Sequence, residues 1–191
     1  MAYNAKLGTQ TFKESTVIDH THPPVVWDFP VATGQGELAP GTVVALNAAG
    51  AVVPYAKDSV NLGTGDGTTT SFTGSFGGPV EPGTVVVTDG TQILRDDGFG
   101  NLYGDGSGQV NYQTGDVNAS FQNAPGSGAA VTASAGRKLL GILTMRVDTN
   151  NEDVAPVLIH GCAVREYVTV GANLVDDETV ALLRAKQIFV R

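Results

Sequence analysis

The feature that most constrains the fold of this 191-residue chain is a series of short β-type segments separated by glycine, between Val60 and Gly136. Seventeen of the 25 glycines lie in this stretch. Glycine and the neighbouring Asn and Asp residues supply the backbone conformations that tight turns need. The segments between the turns are rich in Val, Thr, Phe and Tyr and have the length of sandwich strands. They are TTSFTGSF, GTVVVTDG, TQILRD, QVNYQ, DVNASF and GAAVTASA. This pattern predicts an immunoglobulin-like β-sandwich.

The sequence on either side of this stretch is also of β type, but it has longer apolar runs. GTVVALNAAGAVVPYAKD predicts two strands joined by an Asn/Gly turn, and RKLLGILTMRVD, APVLIHG and CAVREYVTV predict further strands. One helix is predicted, in VDDETVALLRAKQI, with Asp176 or Asp177 as its cap and with Val180, Leu183 and Ile188 as an apolar stripe. IFVR then predicts a last short strand. The chain is therefore predicted to be mainly β with one C-terminal helix.

These differences in composition predict three parts. Residues 1–36 contain adjacent prolines at positions 23 and 24 and show no apolar period, so we interpret them as an extended N-terminal arm. Residues 37–59 and 137–191 form one domain, and residues 60–136 form a second domain inserted into it. The insert carries seven acidic residues and a single basic one, Arg95.

The charge of the chain limits its partners. The net charge is −8 and the isoelectric point is about 4.6, whereas nucleic-acid binding relies on clustered Lys and Arg. No apolar run is long enough to span a bilayer, and the N-terminus lacks the pattern of a secretion signal. We therefore expect neither nucleic acid nor membrane as a partner, and synthesis in the cytoplasm. Cys162 is the single cysteine, so an internal disulfide cannot form and a buried side chain is expected.

Several motifs could carry chemistry, and each has a simpler interpretation. The glycine and aspartate residues from Asp96 to Asp116 lack the Glu of a calcium helix-loop-helix, so we interpret them as turns, with a weak surface calcium site as the alternative. His20 and His22 provide half of a metal site. Cys162 beside His160 would need a third residue to act as a nucleophile pair. We therefore predict no catalytic, cofactor-binding or metal-binding residues, and we expect that the protein is not an enzyme.

The arm contains many apolar residues but cannot form a hydrophobic core of its own. We predict that it binds a partner chain, with Thr11–Ile18 paired along a strand edge of that partner and Trp27 as a separate anchor, because the two prolines cannot donate backbone hydrogen bonds. The predicted binding residues of the arm are Phe12, Val17, Ile18, Trp27 and Phe29.

The flanking segments resemble a known family. ELAPGTVVALNAAGAVVPYAKD, resumed by GRKLLGILTMRVDTNNEDVAPVLIHGCAVREYVTV and closed by DDETVALLRAKQIFVR, is similar to the lambda-type head decoration proteins of tailed bacteriophages. The likeness covers nearly all of residues 37–59 and 137–191 and depends on the order of the motifs.

The resemblance implies a domain of β-clip type that forms a homotrimer at three-fold positions on the outside of the expanded capsid. Such a trimer would act as cement, binding the major capsid protein and stabilising the head against the pressure of packaged DNA. The resemblance also implies that the arm contacts the shell and that the protein resides on the outer surface of the virion.

The insert departs from the simple family pattern. GTGDGTTTSFTG, PGTVVVTDG and GQVNYQTGDVNASF resemble the immunoglobulin-like modules of phage structural proteins, and this likeness identifies no ligand. The alternative function is a head-displayed adhesion module that binds a host glycan or receptor through Phe99, Tyr103 and Tyr112, the only aromatic cluster near turns. An enzyme acting on host surface polymers would require clustered functional acids, and nothing in the sequence distinguishes Asp96, Asp97 or Asp105 from turn residues.

Overall fold

The computed structural model describes residues 17–191, which are mainly β with a single α-helix near the C-terminus, as predicted. No helix in this range is long and apolar enough to cross a membrane. Five strands precede the glycine-rich segment: β1 (Ile18–Asp19), β2 (Val25–Pro30), β3 (Glu37–Leu38), β4 (Val43–Leu46) and β5 (Val52–Pro54).

The glycine-rich segment contributes eight strands, which form one antiparallel sheet in the order β6-β13-β8-β9-β10-β11-β12-β7. They are β6 (Lys57–Thr64), β7 (Ser71–Ser75), β8 (Val86–Thr88), β9 (Ile93–Asp96), β10 (Asn101–Gly104), β11 (Gly106–Asn111), β12 (Asp116–Phe121) and β13 (Ala130–Gly136). We call residues 57–136 the module and the rest of the described chain the flanking part.

The flanking part resumes with further strands and the helix. They are β14 (Lys138–Leu143), β15 (Val147–Asp148), β16 (Val154–Ala163), β17 (Thr169–Val170), β18 (Asn173–Leu174), α1 (Asp177–Ala185) and β19 (Ile188–Val190). The helix begins as the sequence predicts, because the Asp176 carboxylate caps it by accepting a hydrogen bond from the Thr179 amide at 2.7 Å. Val180, Leu183 and Ile188 are buried.

The central strand of the flanking sheet is β16. Its first half pairs with β2 and β14, its second half pairs with β1 and with the parallel strand β19, and β14 continues the sheet to β4 and β5. Two clusters of buried apolar side chains lie in this part, one including Val43, Ile142 and Leu183 and the other including Val44 and Val157. Strand β16, which follows the module in sequence, thus pairs with β1 and β2, which precede it.

The module differs from an immunoglobulin-like pair of sheets, because its eight strands are hydrogen-bonded into one sheet. Strands β8 to β12 follow one another directly, so each pairs with the next through a tight turn. The sheet curls until its end strands β6 and β7 meet. A Cβ at Gly74 would lie 2.5 Å from Leu62, which explains the glycine there. The buried cluster inside is built from module residues alone, including Phe72, Leu94 and Val131.

The module joins the flanking part through paired strands and one buried carboxylate. Strands β6 and β13 pair with each other up to Lys57 and Gly136, so the chain enters and leaves the module side by side. Glu81, which is 6% exposed, accepts a hydrogen bond from the Leu139 amide at 2.8 Å and lies 3.0 Å from the Lys186 ammonium. A module side chain therefore satisfies two groups of the flanking part. The three-part division of the chain itself stays a prediction.

Candidate functional site

An open strand edge is the first surface that could bind a partner. Strand β2 runs antiparallel along β16, from Pro30 opposite Val154 to Val25 opposite His160, with a bulge near the latter end. No other strand in the described part of the chain pairs with β2; the only further bridge lies just beyond it, at Val31. The outer edge of β2 therefore presents backbone donors and acceptors that a partner strand could satisfy.

The side chains of β2 are apolar at every position except Asp28. Trp27, the only tryptophan of the chain, is 61% exposed, and Val25 and Val26 are each 37% exposed. Val154, opposite Pro30, is 49% exposed. We call Val25–Pro30 together with Val154 the β2 edge. Exposed apolar groups that are contiguous in this way are typical of interaction surfaces.

The described part of the predicted arm packs against the rest of the flanking part. Val17 is buried in the flanking core, Ile18 pairs with Ala163, and the half-buried Phe29 pairs with Ala155 and packs on the second flanking cluster. Within residues 17–36, strands β1 and β2 therefore pair with β16 of the flanking part, because β16 offers them a partner edge. Of the predicted binding residues, Trp27 is the one that lies exposed. Phe12, and the predicted pairing as far as residue 16, lie outside the described residues.

The two histidines of the HTH motif have different surroundings, whereas Cys162 is buried as expected. His22 faces His160, with 2.9 Å between the two Nε2 atoms, and does not form a pair with His20. Cys162 is fully buried in β16, where it pairs with Asp19 and Phe189. No group of three or more His, Cys, Asp or Glu side chains within residues 17–191 is placed to hold a metal ion.

The three aromatic residues proposed for the module occupy two different environments. Phe99 is 89% exposed in the β9–β10 turn, and Tyr103 is 56% exposed on β10. Tyr112 is instead a structural residue, since its hydroxyl donates to Asp96 at 2.5 Å and accepts from the Gly100 amide at 2.7 Å. Burial and the bond to Asp96 raise the pKa of Tyr112. Only Phe99 and Tyr103 are therefore available to a ligand.

The aspartates around these aromatics hold turns. The Asp97 carboxylate accepts from the side chain of Asn101 at 2.8 Å and from the Phe99 amide at 2.7 Å, and these bonds lower the pKa of Asp97. Asp96 accepts from the amides of Gly83 and Gly98, and Asp105 from that of Ile93. Each of these aspartates thus accepts at least one hydrogen bond from a backbone amide of a nearby turn or strand.

A polar row on the module was not singled out from the sequence. Asn101, Gln109, Asn118 and Thr73 are directly opposite one another on four adjacent strands, and all four are exposed. The signal was present in the strict alternation of GQVN and DVNAS, in which every second residue is polar. Alternation predicts which residues of one strand point outward. Which residues of the adjacent strands lie beside them depends on the order of strands in the sheet.

A scan against models of protein families, a search of curated proteins and a search of solved structures each found no match.

Proposed function

We propose that the chain is a head decoration protein of a tailed bacteriophage, which binds the outer surface of the expanded capsid as a homotrimer at three-fold positions and stabilises the head. The proposal is supported by the resemblance of the flanking segments to that family. The observation that carries the attachment step is the β2 edge, an apolar strand edge with an exposed tryptophan.

Attachment would use both the backbone and the side chains of this edge. A strand of the major capsid protein can pair with the outer edge of β2, which gives affinity through main-chain hydrogen bonds. Trp27 would then be buried in a pocket of the shell. Loss of such a central aromatic anchor costs roughly 2 kcal/mol or more, which is about 30-fold in affinity.

Trimerisation is supported by the family resemblance alone. The flanking part does present further exposed apolar side chains away from β2, including Leu174 at 64% exposed and Phe189 at 38%. These could contact neighbouring copies once three molecules are held on the shell, where binding to the lattice favours assembly by mass action.

The test is co-sedimentation of the full chain with expanded shells of its cognate major capsid protein. Trp27→Ala should raise the dissociation constant about 30-fold. Phe99→Ala is the matched control, because it removes a still more exposed aromatic side chain from the module. Density on decorated shells should obey local three-fold symmetry. Full occupancy by Trp27→Ala, or wild-type protein that stays in the supernatant, would contradict the proposal.

An N-terminal truncation that tests attachment must leave the paired strands β1 and β2 intact. Removing residues 1–30 would strip β1 and β2 from β16 and expose the core around Val17, so it would test folding and attachment together. Removing residues 1–16 leaves both strands in place and isolates the contribution of the preceding segment.

A further inference from the structure

The outward face of four adjacent module strands carries registered rows of polar side chains. The middle row is Asn101, Gln109, Asn118 and Thr73 on β10, β11, β12 and β7. One pleat further along, the next row is Tyr103, Ser107, Ser120 and Ser71. We call these eight residues the amide face. The residues between the rows, such as Leu102, Ala119 and Phe72, are buried, so the face is fixed by the core beneath it.

The amide face carries neither a carboxylate nor a cationic group. Designed protein surfaces are usually given roughly a quarter to a third of charged residues, and the module, residues 57–136, has eight acidic residues. Of these, Asp97 is in the turn before β10, and Asp116 is one pleat beyond Asn118, where it lines the same groove as Asn101 and Gln109. Arg95 lies beside Tyr103 on β9, at the border of the face. The centre of the amide face therefore offers no complementary charge to a charged ligand.

Amide and hydroxyl groups suit a different ligand. Each Asn and Gln side chain both donates and accepts hydrogen bonds, as does each Ser and Thr hydroxyl. Sugar hydroxyls have the same dual character and no charge, so a row of amides can bind them without leaving a charge desolvated. The Asn101 amide nitrogen is held by Asp97 at 2.8 Å, which leaves its carbonyl oxygen as an acceptor.

Two exposed aromatics border the face. Phe99 lies next to the middle row and lines the same groove as Asn101 and Gln109, while Tyr103 begins the second row. The carbon–hydrogen face of a pyranose ring is apolar, and stacking it on an exposed aromatic ring removes both surfaces from water. Phe99 is 89% exposed, so its ring is open to such stacking.

The face also has the size of a binding site. Two contiguous grooves of about 780 and 480 Å³ lie over it and share Asn101, Gln109 and Asn118. Ligand sites typically measure about 300–1,000 Å³. Four strands about 4.8 Å apart give a platform roughly 14 Å wide, which is enough for several contacts along a chain of sugars.

We propose that the amide face binds a neutral oligosaccharide, with Gln109 and Asn118 as hydrogen-bonding residues and Phe99 as a stacking residue. This sharpens the adhesion alternative by assigning the chemistry of the ligand and by excluding Tyr112 from the site. Sugar binding here does not depend on attachment to a capsid, so failure of one proposal would leave the other standing.

Affinity electrophoresis of the full chain tests the proposal, with native gels that contain dextran, mannan or galactan, and heparin as a charged comparison. At least one neutral polymer should retard the wild type. The Gln109→Ala/Asn118→Ala double variant should weaken that retardation about tenfold, as expected for two lost hydrogen bonds, and Phe99→Ala should weaken it similarly. The matched control is Gln113→Ala/Asn150→Ala, which removes one Gln and one Asn amide exposed outside the face.

Asn118→Asp is a second probe that preserves side-chain shape on an exposed position, and it should also reduce binding. It decides the question if the double variant fails to fold, which thermal unfolding would reveal. The proposal is overturned if none of the three neutral polymers retards the protein, if Asn118→Asp and Phe99→Ala both bind like the wild type, or if heparin alone binds.

Discussion

Replacing Glu81 by alanine tests whether the module is an independent unit or is coupled to the flanking part. The substitution removes the acceptor of the buried Leu139 amide and the partner of Lys186. Leaving a buried N–H without an acceptor costs about 1–3 kcal/mol. Breaking a fully buried ion pair costs about 3–5 kcal/mol, but the Lys186 side chain is 30% exposed and can regain water, so the lower end applies.

We therefore expect Glu81→Ala to lower the free energy of unfolding by about 2–4 kcal/mol, which corresponds to roughly 4–16 °C in Tm for a chain of this length. Glu81→Gln keeps an acceptor for Leu139 and should lose only about 1 kcal/mol. The control is Glu178→Ala, which removes an exposed ion pair with Lys57 and should change stability by less than about 0.5 kcal/mol.

Scanning calorimetry and urea unfolding measure these effects. If the carboxylate couples the two parts, Glu81→Ala should also separate their unfolding into two transitions. The reasoning is refuted if Glu81→Ala is no less stable than Glu178→Ala, or if Glu81→Gln is as destabilised as Glu81→Ala. In the second case the lost charge, and not the lost acceptor, would dominate.

Two further predictions concern buried polar groups. Tyr55 is buried, its hydroxyl has no hydrogen-bond partner within residues 17–191, and burial raises its pKa to about 12; Tyr55→Phe should therefore leave the Tm unchanged or raise stability by up to about 1 kcal/mol, and a clear loss in thermal unfolding would contradict this. Asp89 is buried, which raises its pKa, but hydrogen bonds from Gln92 and Thr91 outweigh burial and lower the pKa to about 2. Because the folded pKa lies below the unfolded value, the stabilisation is complete above about pH 4 and is lost as the pH falls through about 2. Asp89→Asn should cost about 1–2 kcal/mol at pH 7 and progressively less towards pH 2 in urea titrations, and a difference that is constant with pH would exclude this cause.

Sequence reasoning succeeded where the signal is local. The helix cap at Asp176 and the Asn47 turn between β4 and β5 depend on residues within a few positions of one another. Six of the eight module strands are likewise predicted by their turn residues and by the alternation of polar and apolar residues. Strands β6 and β10 were not predicted, since one has polar residues at several positions and the other begins and ends at glycine-rich turns.

Prediction from the sequence failed where a strand pairs with residues that are far away in the sequence. Pro23 and Pro24 predict a limit of strand pairing, yet strands lie on both sides of them, because β16 extends past the bend and Gly161 makes room for Pro24. A Cβ at Gly161 would lie 3.0 Å from Pro24. The order of strands in the module was inaccessible for a similar reason: strand number and length do not decide whether a sheet splits into two or curls into one.

The open edge of β2 has a consequence for the protein before it meets any partner. A strand edge that can accept a foreign strand can also accept the same strand of another copy, and apolar edges without protection lead to self-association. Asp28 places a carboxylate in the middle of β2, and the net charge of −8 makes molecules repel one another. That repulsion disappears near the isoelectric point of about 4.6 and is screened by salt. The colloidal stability of the free protein therefore depends on electrostatic repulsion that acts against association at one short strand, and we expect mild acid or high salt to make the open edge of β2 a site of aggregation.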